Sequence, residues 1–100
     1  MPKKLTKEVT VSNRAGIHLR VSRKLLSEAS RFNSSVHLYK GSASANVRNM
    51  LETLSLGAAP GETLRVEVEG DDDKDAQDAL DAVVALFYAG FNDDDHVEVE

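Results

Sequence analysis

The 100-residue sequence contains no cysteine and no tryptophan, and aromatic residues make up only 5% of it. Without cysteine the chain has no disulfide, no thiolate nucleophile and no Cys-ligated metal, which favours a reducing cytoplasm as its location. The longest apolar run, residues 82–89, is far shorter than the roughly 20 residues that a membrane-spanning helix needs. The start of the chain lacks the pattern of a secretory signal. These absences predict a cytoplasmic protein without membrane insertion.

The residues that are present suit one globular domain, with 41% hydrophobic and 29% charged side chains. The net charge of −5 conceals an uneven distribution: residues 1–50 carry +8 and residues 51–100 carry −13. This asymmetry indicates a basic face that meets something anionic. The simpler alternative is that the acidic half merely keeps the chain in solution.

Hydrophobic periodicity predicts seven elements and one sheet. Alternating apolar residues predict strands, and apolar residues at helical spacing predict helices. The strands are expected at residues 5–11, 36–39, 42–47 and 64–69, and the helices at 18–32, 49–56 and 71–89. The order β-α-β-β-α-β-α predicts an α+β fold with the helices packed on one face of the sheet. We expect one domain over residues 1–91 and an acidic, flexible tail over 92–100.

The first predicted helix has an unusual charge pattern at its start. Its first turn and a half contains Arg20, Arg23 and Lys24 and no acid, although cations there oppose the helix dipole. The third predicted helix instead begins with aspartates at 71–73. Unpaired backbone N–H groups at a helix start, together with arginine, favour an anion such as phosphate. The alternative is that these cations are simply solvated.

His18 lies at the first position of this helix. A helix N-terminus disfavours imidazolium, so we expect a neutral ring whose free lone pair can attack phosphorus. The same N–H groups and Arg20 would then stabilise the anionic phosphoryl product. The alternative is an ordinary surface histidine at a helix cap. His37, on a strand, and His96, in the tail, lack this setting.

Other catalytic or metal-binding patterns are missing from the sequence. The three histidines are too far apart for a paired metal motif, and no glycine-rich phosphate loop is present. The acidic runs at 71–75 and 93–95 are explained by a helix start and by the tail, respectively. We therefore predict neither a metal nor a cofactor.

The segment Gly16-Ile17-His18-Leu19-Arg20 resembles the active-site motif of HPr, the histidine-containing phosphocarrier family of the bacterial phosphotransferase system. The resemblance covers about residues 4–90 and includes the segments 41–51 and 54–57. It implies the HPr-like open-faced β-sandwich, in which a four-stranded antiparallel sheet carries three helices on one face. The end of the chain, at 83–87 and 90–93, is more like the nitrogen-related branch of the family than the sugar-uptake branch.

The resemblance also implies a role in a phosphoryl relay. His18 would be the phosphoacceptor and Arg20 the arginine that stabilises the phosphoryl group, which comes from phosphoenolpyruvate through Enzyme I and passes to an Enzyme IIA-type protein. The chain would be a monomeric carrier rather than a true catalyst, with no nucleic-acid partner. The partner-docking surface around His18 would consist of Leu19, Arg23, Arg48, Met50 and Leu51.

Two positions depart from the family pattern. Val21 replaces the proline that usually follows the arginine of the motif, so we expect an altered rate or partner preference. Asn49 occupies the position of the serine that an HPr kinase phosphorylates in Gram-positive relatives. Asparagine has no hydroxyl to accept a phosphoryl group, so we expect this regulation to be absent.

Two other functions fit the same element order. A docking module of this fold would bind a partner without any phosphoryl transfer. A ferredoxin-like protein that binds single-stranded nucleic acid would need two or three stacking aromatics on its strands, and the sequence offers only Tyr39.

Overall fold

Four antiparallel strands form one sheet in the computed structural model, which describes residues 2–93. The strands are β1 (Lys3–Thr10), β2 (Ser35–Lys40), β3 (Ala43–Asn46) and β4 (Thr63–Gly70), and their order across the sheet is β1-β4-β2-β3. The register places Val9 opposite Leu64, and Val36 opposite Val68. Apolar residues of neighbouring strands therefore share one face, as their alternation predicts.

Three helices complete the β-α-β-β-α-β-α order and confirm the predicted fold class. They are α1 (Leu19–Ala29), α2 (Met50–Ser55) and α3 (Asp73–Tyr88). Helix α3 packs on β1 and β4, α2 packs on β3, and α1 contacts both other helices. The largest fully buried side chains of the core are Phe87, Phe91, Leu25, Leu38 and Leu64. No helix within residues 2–93 is long and apolar enough to cross a membrane.

Side-chain caps determine where the helices begin. Asp72 accepts hydrogen bonds from the backbone N–H groups of Lys74 and Asp75 at 2.9 and 3.1 Å, which confirms that the acidic run supplies a helix start. Helix α1 begins one residue later than its periodicity predicts, because His18 is its N-cap. It also ends earlier, at Ala29. The guanidinium of Arg48 binds carbonyl oxygens at and beyond this end, those of Ala29, Phe32 and Ser34.

A left-handed turn follows α3 and reverses the chain. Gly90, Phe91 and Asn92 have φ values of 61°, 57° and 52°, a conformation that is unfavourable for the two residues with side chains. Burial of Phe91 offsets this cost, because its ring packs edge-on against Phe87 with 4.8 Å between centroids. The Lys24 ammonium also donates to the Phe91 carbonyl at 2.5 Å.

The turn corrects the expectation that Asp93 belongs to a flexible tail. Asp93 is only 4% exposed and lies against the start of α1. The cause is the burial of Phe91, which brings the next residues back onto the domain. Residues 94–100, including His96, lie outside the described part of the chain, so the predicted tail is not tested there.

Candidate functional site

The loop between β1 and α1 positions His18. Gly16 has φ +70°, and a Cβ atom at this position would lie 2.6 Å from the carbonyl oxygen of Ala58. The next residue, Ile17, donates its N–H to the same oxygen at 3.0 Å. Glycine is therefore required by both backbone conformation and space, and the loop enters α1 at a defined point.

The two ring nitrogens of His18 face different groups. Nδ1 accepts a hydrogen bond from the Arg20 backbone N–H at 3.2 Å, and Nε2 lies 2.9 Å from an Asp93 carboxylate oxygen. A nitrogen that receives an N–H carries a lone pair, and one that faces a carboxylate carries the proton. These bonds therefore assign the Nε2–H tautomer. The side chain is 29% exposed, so the ring is accessible to a partner.

Asp93 collects donors from three residues. Its Oδ1 atom accepts from Nε and Nη2 of Arg20 at 2.7 and 2.6 Å, while Oδ2 faces His18 and accepts from Nδ2 of Asn13 at 3.2 Å. The hydrogen bond with His18 is the largest cause that holds the pKa of this carboxyl well below its ordinary value of 3.8; Arg20 and Asn13 add to it, against the opposing effect of burial. Asp93 is therefore an ionised, buried carboxylate beside the ring.

Asn13 is held in one orientation by its neighbours. It is fully buried, and its Nδ2 donates to the Gly16 carbonyl at 2.8 Å as well as to Asp93. Its Oδ1 has no hydrogen-bond partner among the described residues. A flipped amide would turn this oxygen toward two acceptors, so the unpaired atom is the less costly arrangement.

Asp93 is not predictable from the acidic run at residues 93–95 taken as one segment. The available signal was Gly90-Phe91, a glycine followed by a large apolar residue within a polar segment. Phe91 is fully buried, and its burial is accompanied by the return of Asp93 onto the domain. The sequence also predicts unpaired backbone N–H groups at the start of α1. One of these groups, the N–H of Arg20, is already hydrogen-bonded to His18 Nδ1.

The predicted docking residues differ in their surroundings. Leu19 and Leu51 are 50% and 77% exposed, unusual values for leucine, and Arg23 is exposed on α1. Met50 is half-buried. Arg48 instead uses its guanidinium to bind carbonyl oxygens at the end of α1, so its position indicates a structural role.

The remaining predicted positions lie away from His18 or serve the fold. Asn49 is the N-cap of α2, where its Oδ1 accepts from the Glu52 N–H at 3.2 Å. His37 lies on β2, with its ring near Tyr39. Within residues 2–93, no group of three or more His, Cys, Asp or Glu side chains is placed to hold a metal ion.

Comparison with known proteins identifies the family. The family model described as "PTS HPr component phosphorylation site" matches residues 5–87, most of the chain. The chain belongs to the HPr family. Its relatives include phosphocarrier protein HPr of Xylella fastidiosa, 33% identical over 90% of this chain and 98% of that protein. Phosphocarrier protein NPr of Shewanella violacea is 34% identical over 90% of this chain and 96% of its own length.

Solved HPr structures have the same fold. HPr-C-His from Thermoanaerobacter tengcongensis superposes with a TM-score of 0.78 at 27% identity, covering 91% of this chain and 97% of that one. HPr from Bacillus anthracis gives a TM-score of 0.76, also at 27% identity, over 84% and 96% of the two chains. Relatives named HPr and NPr match this HPr-family chain at nearly equal identity, so identity alone does not assign it to one branch.

Proposed function

We propose that this HPr-family protein accepts a phosphoryl group on His18 from Enzyme I and passes it to an Enzyme IIA-type protein. The observation that carries the proposal is the position of His18 as the N-cap of α1, with the Nδ1 lone pair directed at the helix start. The same geometry would be unnecessary in a module that only docks a partner. The cytoplasmic location and monomeric state that the sequence predicts belong to this proposal.

Transfer requires one bond to form and one to break. The Nδ1 lone pair attacks phosphorus, the bond between phosphorus and its donor breaks, and the donor leaves with that electron pair. The Nε2 proton stays on the ring throughout. Transfer to the acceptor protein repeats the exchange with His18 as the leaving group, so the carrier returns to its starting state.

The start of α1 supplies the electrostatic stabilisation. A phosphoryl group on Nδ1 would take the hydrogen bond that the Arg20 N–H now gives to the ring, and it would lie at the positive end of the helix dipole. The side chain of Arg20 is 50% exposed, so its guanidinium is accessible to the phosphoryl group. Charge-assisted hydrogen bonds of this kind are stronger than hydrogen bonds between neutral groups.

The partner surface combines exposed leucines with basic residues. Leu19 and Leu51 belong to α1 and α2, which pack against each other, and Arg20 and Arg23 lie on α1. Apolar anchors with a basic surround suit a partner face that is apolar at its centre and acidic at its rim. We leave Arg48 out of this surface because the fold uses its guanidinium.

Labelling with phosphoenolpyruvate and an Enzyme I tests the proposal. The unaltered protein should gain the mass of one phosphoryl group, in an acid-labile and base-stable bond typical of phosphohistidine. His18→Ala should abolish the gain, whereas His37→Ala and His96→Ala should retain it.

Two results would contradict the proposal in different ways. Full labelling of His18→Ala would move the site to another residue. Binding of partner proteins without labelling of the unaltered chain would favour the docking module.

A further inference from the structure

The carboxylate of Asp93, which lies beyond the region that the family model matches, faces Nε2 of His18, the ring nitrogen that stays unphosphorylated in the proposed transfer. We infer that Asp93 is a positioning residue: it holds His18 in the Nε2–H tautomer, directs the Nδ1 lone pair at the start of α1, and balances the charge that the ring gains on transfer. The catalytic part of this inference rests on the proposed function, whereas the tautomer can be measured without it.

Asp93 lies where it can orient the His18 ring without blocking access to Nδ1. Its Oδ2 atom contacts Nε2, while Nδ1 points away toward the Arg20 N–H. A group that arrives at Nδ1 therefore does not take the place of the carboxylate. A buried aspartate also orients the histidine of a hydrolase triad, but there it binds Nδ1–H and leaves Nε2 free. Here the carboxylate faces Nε2 and leaves Nδ1 free, and in the proposed transfer the histidine itself is the nucleophile.

Asp93 is itself held from several directions. Arg20 and Asn13 bind its two oxygens, and the left-handed turn at residues 90–92 fixes its backbone. Asn13 keeps an unpaired buried Oδ1 so that its Nδ2 can face Asp93. Two energetically unfavourable features, the strained turn and the unpaired oxygen, therefore lie next to Asp93. Strained backbone and unpaired buried polar atoms are concentrated at functional sites.

The charge balance gives Asp93 its function in the reaction. When the Nδ1 lone pair forms the bond to phosphorus and the donor leaves, Nε2 keeps its proton and the ring becomes positively charged. An ionised carboxylate 2.9 Å from Nε2 stabilises that ring. Arg20 is bound to the same carboxylate, so the charges next to the ring are balanced before transfer begins.

The test compares Asp93→Asn with the matched variant Asp81→Asn on the outer side of α3. In Asp93→Asn the amide oxygen should remain with the Arg20 donors, and the NH₂ group should then face Nε2, which favours the Nδ1–H tautomer. Nitrogen-15 NMR of the neutral ring should show Nε2–H in the unaltered protein and in Asp81→Asn. It should show a shift toward Nδ1–H in Asp93→Asn.

The rate of labelling by phosphoenolpyruvate and an Enzyme I is measured on the same samples. We expect Asp93→Asn to be slower by about tenfold or more, since it loses a charge-assisted contact, and Asp93→Glu to recover part of the rate. An unchanged tautomer in folded Asp93→Asn, or a rate equal to or faster than that of the unaltered protein, would overturn the inference.

The tautomer also separates this inference from the proposed function. If no protein is labelled but the tautomer changes as expected, the carrier function fails while the positioning of His18 stands. If Asp93→Asn does not fold, the unaltered protein still decides, because an Nδ1–H tautomer there would overturn the inference.

Discussion

At the scale of single residues, Arg20 makes two different contacts, one through its side chain and one through its backbone. Its guanidinium binds Asp93 in the free protein, and its backbone N–H binds Nδ1 of His18. Arg20 thus contacts both Asp93 and the ring nitrogen that would receive the phosphoryl group in the proposed transfer.

Arg20→Ala should slow phosphoryl labelling by roughly tenfold or more, the equivalent of one charge-assisted hydrogen bond of about 1.5–3 kcal/mol. Stopped-flow or quenched-flow labelling with an Enzyme I measures the rate. The control is Arg31→Ala, which removes an exposed arginine paired with Glu28 beyond the other end of α1. Equal rates in the two variants would remove Arg20 from the site.

Gly16 offers a second residue-scale prediction with a matched control. Gly16→Ala places a Cβ atom 2.6 Å from a backbone oxygen at φ +70°, whereas Gly41→Ala has φ +59° and no atom within 4 Å. Both variants suffer the left-handed backbone cost of about 1 kcal/mol. Urea denaturation should show a clearly larger loss for Gly16→Ala, and equal losses would contradict the predicted clash.

At the scale of elements, the start of α2 shows that Asn49 serves the fold as a helix cap. Asn49 caps the helix, and the Glu52 carboxylate in turn accepts from the Asn49 side chain and from the Asn46 N–H. Serine caps a helix about as well as asparagine. The cap can therefore be made by asparagine as here, without the serine that an HPr kinase would modify.

Asn49→Ala should lower the free energy of unfolding by about 1 kcal/mol, while Asn49→Ser should stay close to the unaltered protein. Urea denaturation followed by circular dichroism measures both. With an HPr kinase and ATP, the unaltered chain should remain unmodified, and Asn49→Ser tests whether the missing hydroxyl is the reason. ATP-dependent modification of the unaltered chain at α2 would refute this interpretation.

The turn after α3 supplies the other element-scale prediction. Phe91→Ala removes a fully buried ring from its contact with Phe87 and should cost about 3 kcal/mol of stability. The loss should also release Asp93 and change the His18 tautomer. Asn92→Gly, which suits a φ of 52° better, serves as the control and should retain both stability and tautomer. A stable Phe91→Ala protein with an unchanged tautomer would contradict this coupling.

At the scale of the whole molecule, the carboxylates link stability to pH. The pKa values of Asp93, Asp75 and Glu62 all lie below their ordinary values: His18 is the largest cause for Asp93, the Ser34 hydroxyl for Asp75, and the Ala59 N–H for Glu62. Each group stabilises the fold above its unfolded pKa, near 4, and this stabilisation is lost as the pH falls through the lower folded value.

The free energy of unfolding should therefore decrease between about pH 6 and about pH 3. Asp93→Asn should show a smaller decrease than the unaltered protein, because one of the lowered groups is gone. Urea titrations at the two pH values measure both. The same decrease in the two proteins would show that Asp93 is not held in its ionised form.

The fold was predictable from the sequence to a larger extent than the site. The alternation of Leu64, Val66 and Val68 with polar residues predicts a strand from local sequence alone. His18 is likewise identified by a local motif. The bond between His18 and Asp93 joins residues 75 positions apart in the chain. No local periodicity encodes such a contact, because it depends on how α3 packs and on the reversal at Phe91. The structural role of Arg48 is equally hidden from local sequence, since its carbonyl partners lie at and beyond the end of α1.

The reversal at residues 90–92 lies outside the segment by which HPr-family proteins are recognised, and this affects how they are grouped. The segment by which the family is recognised stops at residue 87, so two proteins can match along its whole length and still differ in the group that faces Nε2. A fusion joint or truncation placed just after α3 would retain the family signature and discard Phe91 and Asp93. Differences in transfer rate between such carriers are therefore expected to follow residues that lie outside the segment used to group them.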